Sequence, residues 1–185
     1  MASAETVIRM TGITTRFGQH VVHRDVALSV MRGEVLCIVG GSGSGKTTLL
    51  REMLGLDTPT AGKVEVLGVT LSELRAHELI ELRRHSGVLF QRGALFSALT
   101  VAENVALPLR ELHTFDDELI HELALLRLEM VGLSHDDGSK MPAELSGGMI
   151  KRAALARALA LSRASRFSMN PPRGSIRKAA RPSSS

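Results

Sequence analysis

The segment Gly40-Gly41-Ser42-Gly43-Ser44-Gly45-Lys46-Thr47 constrains this chain more than any other stretch. It fits G-x-x-x-x-G-K-[ST], a loop whose glycines turn backbone N–H groups inward and make an anion nest at a helix start. The run before it, Glu34 to Val39 (EVLCIV), reads as a buried strand. The run after it, Thr47 to Leu54 (TTLLREML), reads as a helix with one apolar face. Strand, loop and helix in that order are what a phosphate cradle requires. Lys46 can reach the β- and γ-phosphates of a nucleoside triphosphate, and the Thr47 hydroxyl can ligate Mg²⁺. Thr48, next in the chain, joins Gly40 to Thr47 in the expected nucleotide-binding set.

Composition narrows the class. A chain of 185 residues is long enough for one domain with a real core. Hydrophobic residues make up 44%, but no run of 18 apolar residues occurs, so no membrane-spanning helix is expected. The start, Met1 to Thr6 (MASAET), is short and polar and reads as no signal peptide. The single cysteine, Cys37, is expected as a small core residue of the strand before the loop. The seven histidines show no metal-ligand spacing. The net charge of +4 is misleading, because Ser162 to Ser185 holds Arg163, Arg166, Arg173, Arg177, Lys178 and Arg181 and no acid. Without those six the chain has 17 basic and 19 acidic residues, a net of −2, so the folded part carries no basic surplus for nucleic acid.

The coarse organisation is α/β. Val7 to Thr15 and Val21 to Val30 alternate as antiparallel edge strands, and Lys63 to Val66 is a short strand after the turn Thr58 to Gly62. Ser72 to Arg84 reads as a helix capped by Ser72. Asp116 to Val131 reads as a strongly amphipathic helix with acids in its first turn.

A second motif decides between nucleotide-binding families. Leu145-Ser146-Gly147-Gly148 opens a helical run, Met149 to Leu161, with Ser146 as its expected N-cap. Alone, LSGG is no more than a helix cap. After a P-loop at this spacing it resembles the ABC-transporter signature motif, and the resemblance covers roughly Val7 to Leu161. It implies a P-loop NTPase fold of ABC type: a mixed sheet with antiparallel edge strands and a helical subdomain, at about residues 92–150, that carries the signature. It implies that Leu145, Ser146, Gly147 and Gly148 face the ATP of a partner subunit. Phe17 falls where the family sets an aromatic against adenine, although an ordinary core Phe fits the residue equally. Gln91, after the expected strand Gly87 to Phe90, falls at the Q-loop glutamine, which approaches Mg²⁺ and couples the nucleotide to the membrane partner. The stretch Val88 to Leu109 (VLFQRGALFSALTVAENVALPL), with LSGGM-x-KR, resembles the ATPase of Mla/Mce-type lipid transporters, although Met149 replaces the usual Gln.

The departure comes after Leu161. The family continues with an apolar strand ending in Asp-Glu-Pro, whose carboxylates hold Mg²⁺ and orient the attacking water, and later with a switch histidine. Ser162 to Ser185 has no apolar run and no acid and reads as a disordered basic tail. The genetic code suggests a reason. Met169-Asn170 must be ATG followed by AAT or AAC, and a frame shifted one base upstream forces GAA, glutamate, there. The shifted codons through Arg177 then permit Asp before that Glu and Pro-Thr-Ser-Gly-Leu-Asp-Pro after it. A frameshift near Ser162 is therefore expected, a natural low-complexity tail being the alternative.

The sequence thus reads as an ABC-type nucleotide-binding domain at 1–161, without identified catalytic carboxylates, followed by a tail at 162–185. The expected function is the ATP-binding subunit of a lipid transporter, peripheral on the cytoplasmic face of the inner membrane. Its expected partners are a multi-span permease and a second ATPase copy, and no nucleic acid. ATP and Mg²⁺ are the implied cofactors, with Thr47 and Gln91 toward the metal. Hydrolysis by the chain as it stands is expected to be poor. A non-catalytic nucleotide-binding fragment is one alternative. A DNA-repair ABC-type ATPase is another, but no sustained heptads lie between Gln91 and Leu145.

Overall fold

The computed structural model describes residues 5–91 and 93–161. The basic tail, and with it Asn170 and its neighbours, lies outside the described residues. The chain divides into two compact units, Met1–Ser86 and Gly87–Ser185.

The first unit is built on alternating strands. β1 (Thr6–Phe17) and β2 (His20–Met31) form an antiparallel hairpin closed at the pair Phe17 and His20, with Gly18 at φ +60° in the two-residue turn. β3 (Ala61–Val66) pairs antiparallel with the other edge of β1, and the two-residue β4 (Val69–Thr70) pairs with β3. The sheet order is β2-β1-β3-β4. Helix α1 (Lys46–Met53) lays Leu49 and Met53 against Met10, Ile13 and Val64 to make the core. Helix α2 (Ala76–Arg83) follows a 3₁₀ turn at Leu71–Glu73. Its start differs from the expected one. Glu78 reaches back to the Arg75 backbone N–H at 2.9 Å, so the helix begins at Ala76 and Ser72 sits in the 3₁₀ turn rather than at the cap.

The second unit is helical. α3 (Val101–Arg110), α4 (Asp117–Met130), the single turn α5 (His135–Gly138) and α6 (Gly147–Leu159) surround one cluster that includes Val101, Val105, Leu109, Ala124, Leu128, Ala153 and Ala156. Asp116, expected as the first residue of this helix, instead caps α4 by accepting from the Leu119 N–H at 2.8 Å.

The run Glu34 to Val39 corrects an expectation. It pairs with no strand among the described residues, and Val35 is 94% and Val39 84% exposed. Cys37 is exposed rather than a core residue, and only Ile38 packs toward the core. Residues 87–90 likewise form no strand, and Leu89 and Phe90 are exposed. The reason is lateral. A parallel strand is stabilised by neighbours on both edges and covered on both faces. The resemblance puts a further apolar strand after Leu161, and residues 162–185 contain no such run. Within the described residues the sheet is therefore its antiparallel portion.

Candidate functional site

The phosphate loop runs from Gly40 into α1. Gly43 (φ +77°) and Gly45 (φ +87°) are left-handed, the conformation that turns successive N–H groups to one side. Glycine is obligatory at position 45 for a second reason: a Cβ there would run into His23 Nε2 and Val22 Cγ1. A Cβ on Gly41 or Gly43 would meet nothing within 4 Å, so the outer side of the loop is open to a ligand. Gly45 is the N-cap of α1, no side chain caps the helix, and no acid lies in its first turn. Its first N–H groups and the positive end of its dipole are left to an anion.

Lys46 is folded over this loop. Its ammonium donates to the carbonyl oxygens of Gly40 at 2.8 Å and Gly41 at 2.6 Å, and to Ser44 Oγ at 3.3 Å. A positive charge is thus held at the rim of the N–H nest. Ser42 and Thr47 are exposed and Thr48 is half-buried. Open glycines, uncapped N–H groups and a flexible ammonium fit a nucleotide's phosphates, and the exposed Thr47 hydroxyl is an oxygen of the type that hard cations take. Phe17 lies at the end of β1 and is 59% exposed, so it is not a core Phe and its ring is accessible.

In the second unit, Gln91 is exposed in a turn. The backbone after it is tied down by two residues that the sequence reading did not single out. Arg157 on α6 donates to the carbonyl oxygens of Gly93 and Ala94, both at 2.8 Å, and burial lowers its guanidinium from its ordinary pKa. Asn104 on α3 is fully buried. Its amide nitrogen donates to the carbonyls of Phe96, Leu99 and Thr100, and its oxygen accepts from the Phe96 N–H at 2.7 Å. A readable signal for this helix was Thr100-x-x-Glu103, a capping box formed in both directions.

The signature motif sits at the start of α6. Leu145 is buried and anchors it. Ser146 caps the helix, its Oγ accepting from the Met149 N–H at 3.3 Å. Gly147 and Gly148 are exposed, and a Cβ on either would touch nothing within 4 Å. The helix has no acid in its first turn, so its N-terminus, capped at the Met149 N–H by Ser146, keeps its positive end.

Residues 23–164 match the ABC transporter family. The chain belongs to that family. It is 42% identical over 154 residues to the probable ribonucleotide transport ATP-binding protein mkl of Mycobacterium leprae, covering 83% of this chain and 44% of that protein. It is 41% identical over 157 residues to the intermembrane phospholipid transport system ATP-binding protein MlaF of Haemophilus influenzae, covering 85% of this chain and 59% of that one. The chain thus spans about half the length of the curated relatives it matches. The fold is that of a solved ABC cassette, MJ0796, in a dimeric post-hydrolysis state bound to ADP and Pi. The TM-score is 0.76 at 34% identity, over 84% of this chain and 70% of that one. The ABC ATPase family binds ATP, and its cassettes form dimers in such structures.

Proposed function

We propose that this chain is the ATP-binding part of a lipid transporter. In this reading Gly40 to Thr48 hold the phosphates of ATP, Thr47 and Gln91 serve Mg²⁺, and Phe17 stacks on adenine. Leu145 to Gly148 close over the ATP of a second copy. The observation that carries the nucleotide reading is the uncapped, glycine-lined start of α1 with Lys46 folded over it. Gln91 and residues 93–99 meet a multi-span permease at the cytoplasmic face of the inner membrane. No helix among the described residues is long and apolar enough to cross a membrane.

The lipid substrate is supported by the stretch Val88 to Leu109 and by the likeness to MlaF, whereas mkl is named for ribonucleotides. The permease decides between them. Crosslinkers placed at residues 93–99 should capture a multi-span membrane protein, and vesicles containing that complex should exchange labelled phospholipid on addition of ATP. Crosslinks to DNA alone, or transport of ribonucleotides without lipid exchange, contradict the reading.

A second reading, a nucleotide-binding chain without turnover, is favoured by one observation. Residues 162–185 contain no Asp or Glu, and phosphoryl transfer to water needs a carboxylate or equivalent group beside the attacking water. The two readings part on hydrolysis: binding with no phosphate release supports the second.

A further inference from the structure

Thr15 on β1, His23 on β2 and Glu52 on α1 form a polar cluster beneath the phosphate loop. They are 4%, 8% and 0% exposed. The Thr15 hydroxyl donates to Glu52 Oε1 at 2.5 Å. With its one proton so committed, its oxygen accepts from His23 Nδ1 at 3.4 Å. Glu52 Oε2 has no hydrogen-bond partner among the described residues and lies 3.9 Å from the same Nδ1. The far side of the imidazole, Nε2, is packed against Gly45, where it occupies the space a Cβ would need. The ring is therefore wedged between a buried carboxylate of the helix and the last glycine of the phosphate loop.

Stability does not account for this arrangement. A buried carboxylate is costly, and replacing a buried polar cluster by apolar groups of similar volume is often neutral or stabilising. What the cluster supplies is geometry. Leu49 and Met53 hold α1 to the sheet by apolar contact, which tolerates sliding and rotation. The directional hydrogen bond from Thr15 on β1 to Glu52, with Thr15 in turn tied to His23 on β2, does not. Because α1 has only eight residues, a rotation at Glu52 is felt at Gly45, Lys46 and Thr47.

We propose that Thr15, His23 and Glu52 are a polar latch that sets the placement of the phosphate loop, with Glu52 a positioning residue for nucleotide binding. The proposal rests on reading Gly40 to Thr47 as the nucleotide site.

The test compares Thr15→Val, which keeps the shape but removes the hydroxyl, with Thr15→Ser, which keeps the hydroxyl. MgADP affinity of the full 185-residue chain is measured by calorimetry, at a temperature where circular dichroism shows each variant wholly folded. Unfolding then cannot lower the apparent affinity. Thr15→Val is expected to bind about tenfold more weakly, and Thr15→Ser within about twofold of the parent. Glu52→Met, which keeps the length of the side chain but removes the acceptor for the Thr15 hydroxyl, carries the same expected loss and decides the matter if Thr15→Val does not fold. Parent-like affinity in either folded variant overturns the latch. Lys46→Ala separates the two readings. If it leaves affinity unchanged, the phosphate-loop reading fails. If it weakens binding while Thr15→Val does not, the latch alone fails.

Discussion

Arg157 and Gly93 are joined across 64 residues of sequence: the guanidinium donates to the glycine carbonyl oxygen at 2.8 Å. The neighbouring carbonyl of Ala94 takes the other arm. One planar side chain on the signature helix therefore holds the backbone that follows Gln91. A fork of fixed N–H directions can serve two carbonyls at once, and an ammonium on a flexible stem cannot do so with the same geometry.

Arg157→Ala should destabilise the second unit by about 1.5–3 kcal/mol, the range for losing a hydrogen bond to a charged group. Arg157→Lys should recover less than half of that. Thermal denaturation followed by circular dichroism reads both. Parent-like melting of Arg157→Ala would mean that the clamp contributes nothing.

Asn104 carries a heavier local load, because its fully buried amide serves four backbone groups between Phe96 and Thr100. Asn104→Leu leaves those groups without their partner and should cost about 2–4 kcal/mol. Hydrogen exchange at the Phe96 N–H should quicken in the variant. Unchanged protection there would show that the loop is ordered by other contacts.

The Asp137 carboxyl is held down to about 2, first by the Lys140 ammonium at 2.6 Å and then by the backbone and hydroxyl of Ser134. A depressed carboxylate contributes stability above its ordinary value of 3.8, and that stability is lost as pH falls through about 2. Carbon-13 titration of Asp137 should show the low midpoint, and Lys140→Ala should move it toward 3.8. A midpoint already at 3.8 in the parent would mean that the α5 cap is not formed in solution.

Turnover separates binding from catalysis. The chain as written should release little or no phosphate from ATP, since no residue after Leu161 is acidic. A coding sequence restored to the shifted frame, with Glu in place of Asn170 within Asp-Glu-Pro, should hydrolyse ATP. Robust turnover by the 185-residue chain, abolished by Lys46→Ala, would show that the missing-carboxylate argument is wrong.

The elements legible in the sequence are those whose causes are local. Asp116 with Asp117 and Glu118 announces α4, Ser146 announces α6, and alternation announces β1 and β2. Other features were harder to read. Helix α3 starts at a legible capping box but contains Pro108, which argues against a helix interior, yet burial of Val101, Val105 and Leu109 outweighs it. Glu34 to Val39 has the apolar run of a buried strand, but whether such a run pairs depends on neighbours supplied from elsewhere in the chain. The glycines at 43 and 45 were readable as turn-forming positions because their left-handed backbone is a local property. The contacts beneath them, from Thr15, His23 and Glu52, were not, since three elements must meet before those side chains have partners.

Calorimetric titration of the 185-residue chain with MgATP, set beside Lys46→Ala, tests the nucleotide site most directly. Saturable binding that weakens at least about tenfold in the variant is the predicted result, since a charge-assisted contact to phosphate is lost. Equal affinity in both, or no binding by the folded parent chain, would contradict the assignment of Gly40 to Thr47 as the phosphate cradle.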